Sequence, residues 1–82
     1  MVAIKFSPSF KKIFSKIKDK SLKERILKQI VKIAHNPDFG KPMKYTRKGT
    51  RETYVSPYRL SYIYEEDEDA IILLDLYHKD EQ

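Results

Sequence analysis

A few polar side chains in this sequence have the types and spacing for phosphodiester chemistry. Arg59 lies in Tyr58-Arg59-Leu60-Ser61-Tyr62. A guanidinium is a fixed planar fork of donors, suited to grip a phosphate and to stabilise oxyanion charge as it develops. An arginine among aromatics is also often a plain surface residue. His78 closes an apolar segment, between Tyr77 and Lys79. Imidazole is the side chain best suited to move a proton near neutral pH, and the end of a central strand is a frequent site position. The plain alternative is a solvated histidine. Arg51 and Tyr54 fall on the segment before Arg59. A tyrosine there could stack on a base or orient a hydroxyl, although strand tyrosines more often pack.

The stretch KPMKYTRKGTR, from Lys41 to Arg51, carries five basic residues and no acidic one, with Tyr45 among them. Cations interleaved with an aromatic ring on a loop fit a clamp for RNA or a single strand, with Lys41, Lys44, Arg47 and Lys48 as its contacts. No glycine-rich phosphate loop is present. With no cysteine, disulfides, thiolate metal sites and thiol nucleophiles are excluded. The acidic run Glu65 to Asp69 lacks calcium-loop spacing and reads as a solvated turn. Before it, the carboxylates are only Asp19, Glu24, Asp38 and Glu52, and they make no cluster for a two-metal nuclease. Phosphodiester chemistry here is therefore expected without metal or cofactor. His35 ends a helix, where a cation complements the dipole.

The elements that must position these groups fit one domain, residues 1–82, built from 82 residues that are 40% hydrophobic with two Gly and four Pro. The net charge of +5 hides a split, with 16 Lys/Arg against four Asp/Glu up to residue 60 and one Lys against eight Asp/Glu after it. Such a chain can turn a cationic face to an anionic polymer. No apolar run approaches the roughly 20 residues that span a bilayer, and MVAIKF has no secretory pattern, so a cytoplasmic protein without membrane contact is expected.

Alternation predicts a strand over Val2–Phe6. Ser7-Pro8 reads as a capped helix start, with Phe10, Ile13, Phe14 and Ile17 on one face of a helix over 8–18. A second helix begins at Asp19 or Ser21 and ends near His35-Asn36, because Pro37 disfavours helical geometry before it. A loop follows, with a short strand near Met43-Lys44-Tyr45. Strands are then predicted over 50–55, 58–64 and 70–77, the last central and buried on both faces. The order β-α-α-β-β-β predicts an α+β fold, a helical hairpin packed on one face of a small, mostly antiparallel twisted sheet. Alternation puts Arg59, Ser61 and Ile63 on one face. A working site needs Arg59, Arg51 and His78 to converge there.

This layout resembles the RelE/ParE toxin superfamily over nearly the whole chain. The marks are Gly49-Thr50-Arg51-Glu52, Tyr58-Arg59-Leu60-Ser61-Tyr62 and Leu76-Tyr77-His78-Lys79, similar to the family's "RE(L)" strand, its "YR(I/L)xY" strand and the "(G/L)xHR/K" end of its last strand. The resemblance implies a RelE-like toxin of a type II toxin–antitoxin pair that cuts mRNA in the ribosomal A site without metal, by attack of a 2′-OH on its own phosphate. It implies phosphate stabilisation by Arg59 and acid or base work by His78. Lys79 stands where others carry Arg, and Arg51 and Tyr54 lie on the strand that holds further catalytic groups. The implied partners are the ribosome, mRNA and a RelB-like antitoxin, acidic and partly helical. Glu52 and Tyr54 replace the Lys, Arg or His common in relatives. No aromatic follows Tyr77, so Tyr77 or Tyr54 substitutes for the family's base-stacking ring or stacking is absent. The rival reading is the ParE branch, which poisons DNA gyrase. A non-catalytic nucleic-acid or partner-binding module is the third.

Overall fold

The computed structural model describes residues 2–42 and 49–78. Its elements run β1 (Ala3–Phe6), α1 (Pro8–Lys16), α2 (Lys20–His35), β2 (Lys41–Pro42), β3 (Thr50–Val55), β4 (Tyr58–Glu65) and β5 (Ala70–His78). The expected α+β order is present. One short strand, β2, precedes β3; the Met43–Tyr45 strand predicted from sequence lies outside the described residues.

Capping chemistry sets the helix starts. The Ser7 hydroxyl accepts from Phe10 N at 3.0 Å, and Pro8 occupies a first-turn position whose N–H would have no helical partner. Asp19, rather than Ser21, caps α2, its carboxylate accepting from Ser21 N at 2.9 Å and Leu22 N at 3.2 Å. The second helix ends at His35, two residues before Pro37, as predicted.

The strands form one sheet in the order β1-β5-β4-β3-β2. Only β1 and β5 pair in parallel; the other pairings are antiparallel, and the two helices carry the chain from β1 across the sheet to β2 at its far edge. One face of the sheet lies under the helices. Leu60, Tyr62, Ile71, Leu73 and Leu76 from β4 and β5 meet Phe10, Ile17, Leu22, Ile26, Ile30 and Ile33 in a single core. Each of these aliphatic side chains contributes about 1.5–3 kcal/mol when fully buried, which is what holds so small a sheet to its helices. No helix among the described residues is long and apolar enough to cross a membrane.

The last strand departs from expectation. It is interior, but beyond Ala70 full burial is confined to Ile71, Leu73 and Leu76; Ile72, Leu74, Asp75 and Tyr77 are only partly buried. It also carries a bulge. Ser61 pairs with Asp75 and Tyr62 with Leu73, so Leu74 is an extra residue on β5. The Leu74 carbonyl accepts from the Ser7 hydroxyl at 2.6 Å. A one-residue insertion reverses which side chains face which way beyond it.

Candidate active site

The face of the sheet away from the helices carries the polar cluster. Across β3, β4 and β5 the register aligns Tyr54, Arg59 and Tyr77 in one row, and Glu52, Ser61 and Asp75 in the next row on the same side. Lys41 on β2 stands directly opposite Glu52. Neighbours of this kind lie within reach both straight across and on the diagonal. Arg59 uses the diagonal, its Nη1 donating to Glu52 Oε1 at 2.6 Å. The Tyr77 hydroxyl donates to the other carboxylate oxygen, Oε2. The Arg59 guanidinium also lies over the Tyr54 ring, 5.9 Å from its centroid, within cation–π range.

This ion pair is not an ordinary surface bridge. The Glu52 side chain is 18% exposed and that of Arg59 33%, so water screens it only partly. Arg59 Nε and Ser61 Oγ are buried without a hydrogen-bond partner among the described residues. A guanidinium beside a carboxylate sets a group of the type that grips phosphate next to one of the type that accepts a proton.

Arg51 and His78 lie on the opposite face, so the expected convergence with Arg59 does not occur. Arg51 is next to Glu52 along β3 and therefore points the other way. It donates from Nη1 to the carbonyls of Gly40 at 2.7 Å and Asp38 at 3.2 Å, and its Nη2 lies 3.4 Å from Asp38 Oδ1. It clamps the turn between α2 and β2. His78 pairs with Tyr58, the rings meeting edge-on at 5.6 Å, and Tyr58 packs against the core. The bulge at Leu74 is the cause. Without it, continued alternation from Ile72 would carry His78 to the open face; with it, Tyr77 takes that place.

Tyr54 is on the open face as a ring for Arg59. Lys41 is exposed, and with Phe39, Thr53, Tyr54 and Arg59 it lines a depression of about 500 Å³. Lys44, Arg47, Lys48 and Lys79 lie outside the described residues. In the sequence Glu52 stands out only as a departure from the family pattern; the register makes it the partner of Arg59. The signal was available, since a two-residue turn at Ser56-Pro57 makes Tyr54 the partner of Arg59 and puts Glu52 one row away on its face.

Burial pushes the Tyr62 phenol above its ordinary value of 10.0, against the lowering influence of the Gly40 N–H and Arg51. It stays neutral and bridges two backbone groups, accepting from Gly40 N at 2.8 Å and donating to Pro37 O at 2.7 Å.

The fold is that of solved toxins. The E. coli RelBE toxin–antitoxin complex matches with a TM-score of 0.83 at 15% identity, over 95% of this chain and 96% of that one. A YoeB/ParE toxin from Agrobacterium tumefaciens matches with a TM-score of 0.83 at 14% identity, over 93% and 96%. The YoeB dimer from Staphylococcus aureus matches with a TM-score of 0.78 at 21% identity, over 94% and 97%. No curated protein matches the sequence. The sequence pattern of the family described as "ParE toxin of type II toxin-antitoxin system, parDE" matches residues 4–82. The chain belongs to that family, and so to the RelE/ParE superfamily of type II toxins.

Proposed function

We infer that this toxin is a ribosome-dependent endoribonuclease that cleaves mRNA with protein side chains alone. The observation that carries the reading is the Arg59–Glu52–Tyr77 cluster on the uncovered face of the sheet. Glu52, not His78, is the base. Its carboxylate takes the proton from a 2′-OH as the O2′–P bond forms. Arg59 turns its fork to the non-bridging oxygens and stabilises the charge that grows on them. The P–O5′ bond breaks, and Tyr77 gives its proton to the departing oxygen while recovering one from Glu52 along the hydrogen bond they share. The products are a 2′,3′-cyclic phosphate and a 5′-OH.

The partners follow the same reading. A cationic chain is drawn to ribosomal RNA, and the similar E. coli structure is a toxin–antitoxin complex, which supports a cognate antitoxin as the silencing partner; an acidic, partly helical segment would suit the cationic chain. A second reading, a non-catalytic gyrase poison, draws on the ParE description of the matching family and on Glu52, which already neutralises Arg59. Toeprinting on translating ribosomes separates the two. Cleavage at A-site codons by the native toxin, lost in Glu52→Gln, supports the ribonuclease. Intact mRNA with inhibited DNA supercoiling overturns it in favour of the gyrase poison.

A further inference from the structure

Phe39 presents an apolar ring, 45% exposed, from a turn held on every side. Its own N–H donates to Asn36 O at 2.9 Å. Arg51 grips the carbonyls of both flanking residues, Asp38 and Gly40. The Tyr62 hydroxyl ties Gly40 N to Pro37 O. Gly40 is itself a close approach, since a Cβ there would sit 2.8 Å from the Tyr62 ring and 2.9 Å from the Glu52 carbonyl. These contacts fix the backbone of the turn and leave the ring facing outward.

A single exposed phenylalanine needs no explanation; its neighbours make this one informative. The ring borders the same depression as Lys41, Tyr54 and Arg59, and Tyr54 is 47% exposed. Two flat aromatic surfaces with two cations beside them suit a ligand with flat rings joined by anionic links, a single-stranded polynucleotide. A duplex hides its ring faces in its own stack and cannot use them. An acidic peptide would use the cations and leave the rings idle.

We propose that Phe39 is a base-stacking residue, receiving an unpaired nucleobase next to the scissile phosphate in the depression it shares with Tyr54, and that Arg51 is the positioning residue that holds it there. The inference rests on the ribonuclease reading and names the conformation of its substrate.

The chain has no tryptophan, so Phe39→Trp introduces a single indole. The probe is a mixed-sequence, fully 2′-O-methylated RNA hexamer, which cannot be cleaved, offered as a single strand and as a duplex. The single strand should quench the indole and the duplex should not. Phe39→Ala should weaken single-strand binding roughly 5–150-fold, the range for one base–aromatic stack, with melting temperature unchanged because the ring is exposed. In an Arg51→Met background the same Phe39→Ala step should cost much less, the non-additivity of residues that act as a unit. Equal single-strand affinity for native and Phe39→Ala proteins, equal quenching by the duplex, or displacement of no RNA but only of a poly-glutamate peptide overturns the stacking role. The two readings fail separately. Stacking with intact ribosomal mRNA removes the nuclease and keeps the binding site. A-site cleavage at an unchanged rate and affinity in Phe39→Ala does the reverse.

Discussion

The two faces of this sheet are made from the same strands and hold opposite kinds of surface. Toward the helices, Leu60, Tyr62, Leu73 and Leu76 are buried to within about 1%. Away from them, Glu52, Tyr54, Arg59 and Tyr77 stay partly in water and bond to one another. Two arginines illustrate the division. Arg51 and Arg59 lie on adjacent strands, yet Arg51 is tied to the turn after α2, to the Asp38 and Gly40 carbonyls and the Asp38 carboxylate, whereas Arg59 meets the Glu52 carboxylate on the open face. Side-chain parity, not residue type, separates a structural clamp from a chemical group.

That contrast breaks most visibly at Glu52. Glu52→Gln keeps the shape and removes the base, and should slow single-turnover cleavage on the ribosome by roughly 100–10,000-fold with little change in binding. Arg59→Ala should cost about 100–1000-fold in the same assay. Arg59→Lys should recover only part, because an ammonium lacks the planar fork. If a folded Arg59→Ala protein cleaves at the native rate, the open face is not the site. On the other face the effect should be on stability alone. Leu60→Ala, one residue from Arg59, should lower unfolding free energy by about 2–5 kcal/mol in denaturant titration while activity per folded molecule holds.

Smaller still is the response of Tyr62. Its folded pKa is raised by burial, so the stability it contributes is complete below its unfolded value of 10.0 and is lost as pH rises through the folded value. Thermal melts should show an alkaline decline that Tyr62→Phe removes. The same substitution should cost about 1–3 kcal/mol near neutral pH, because the Gly40 N–H is left buried without its acceptor. The smallest effect is expected at His78, across the sheet from Arg59. His78→Ala should leave the pH profile of cleavage unchanged, and a flattened profile would return the histidine to the mechanism.

Much of the scaffold was legible from the chain. Ser7-Pro8, Asp19 and Pro37 mark helix boundaries by local chemistry, and the alternation of Tyr58 to Tyr62 assigns Arg59 its face correctly. The site was less legible because it depends on pairing across strands. The bulge at Leu74 has no marker in the apolar run Ala70–Leu74, and it alone decides that Tyr77 rather than His78 accompanies Arg59. The bond between Arg59 and Glu52 needs a register that the turn at Ser56-Pro57 supplies, and family habit obscured it by making an acidic residue look like a loss.

The parallel pairing of β1 with β5 carries a consequence in time. Ala3 lies opposite Ala70 and Phe6 opposite Leu73, so the first strand has no neighbour in the sheet until the fifth is made. Helices α1 and α2 are local and can form early, whereas closing so long a loop comes late. Tyr77 arrives after that closure segment, roughly 1–4 s behind Arg59 at about 5–20 residues per second of synthesis. A ribosome that has already synthesised Arg59 therefore still carries an incomplete site until Tyr77 follows it.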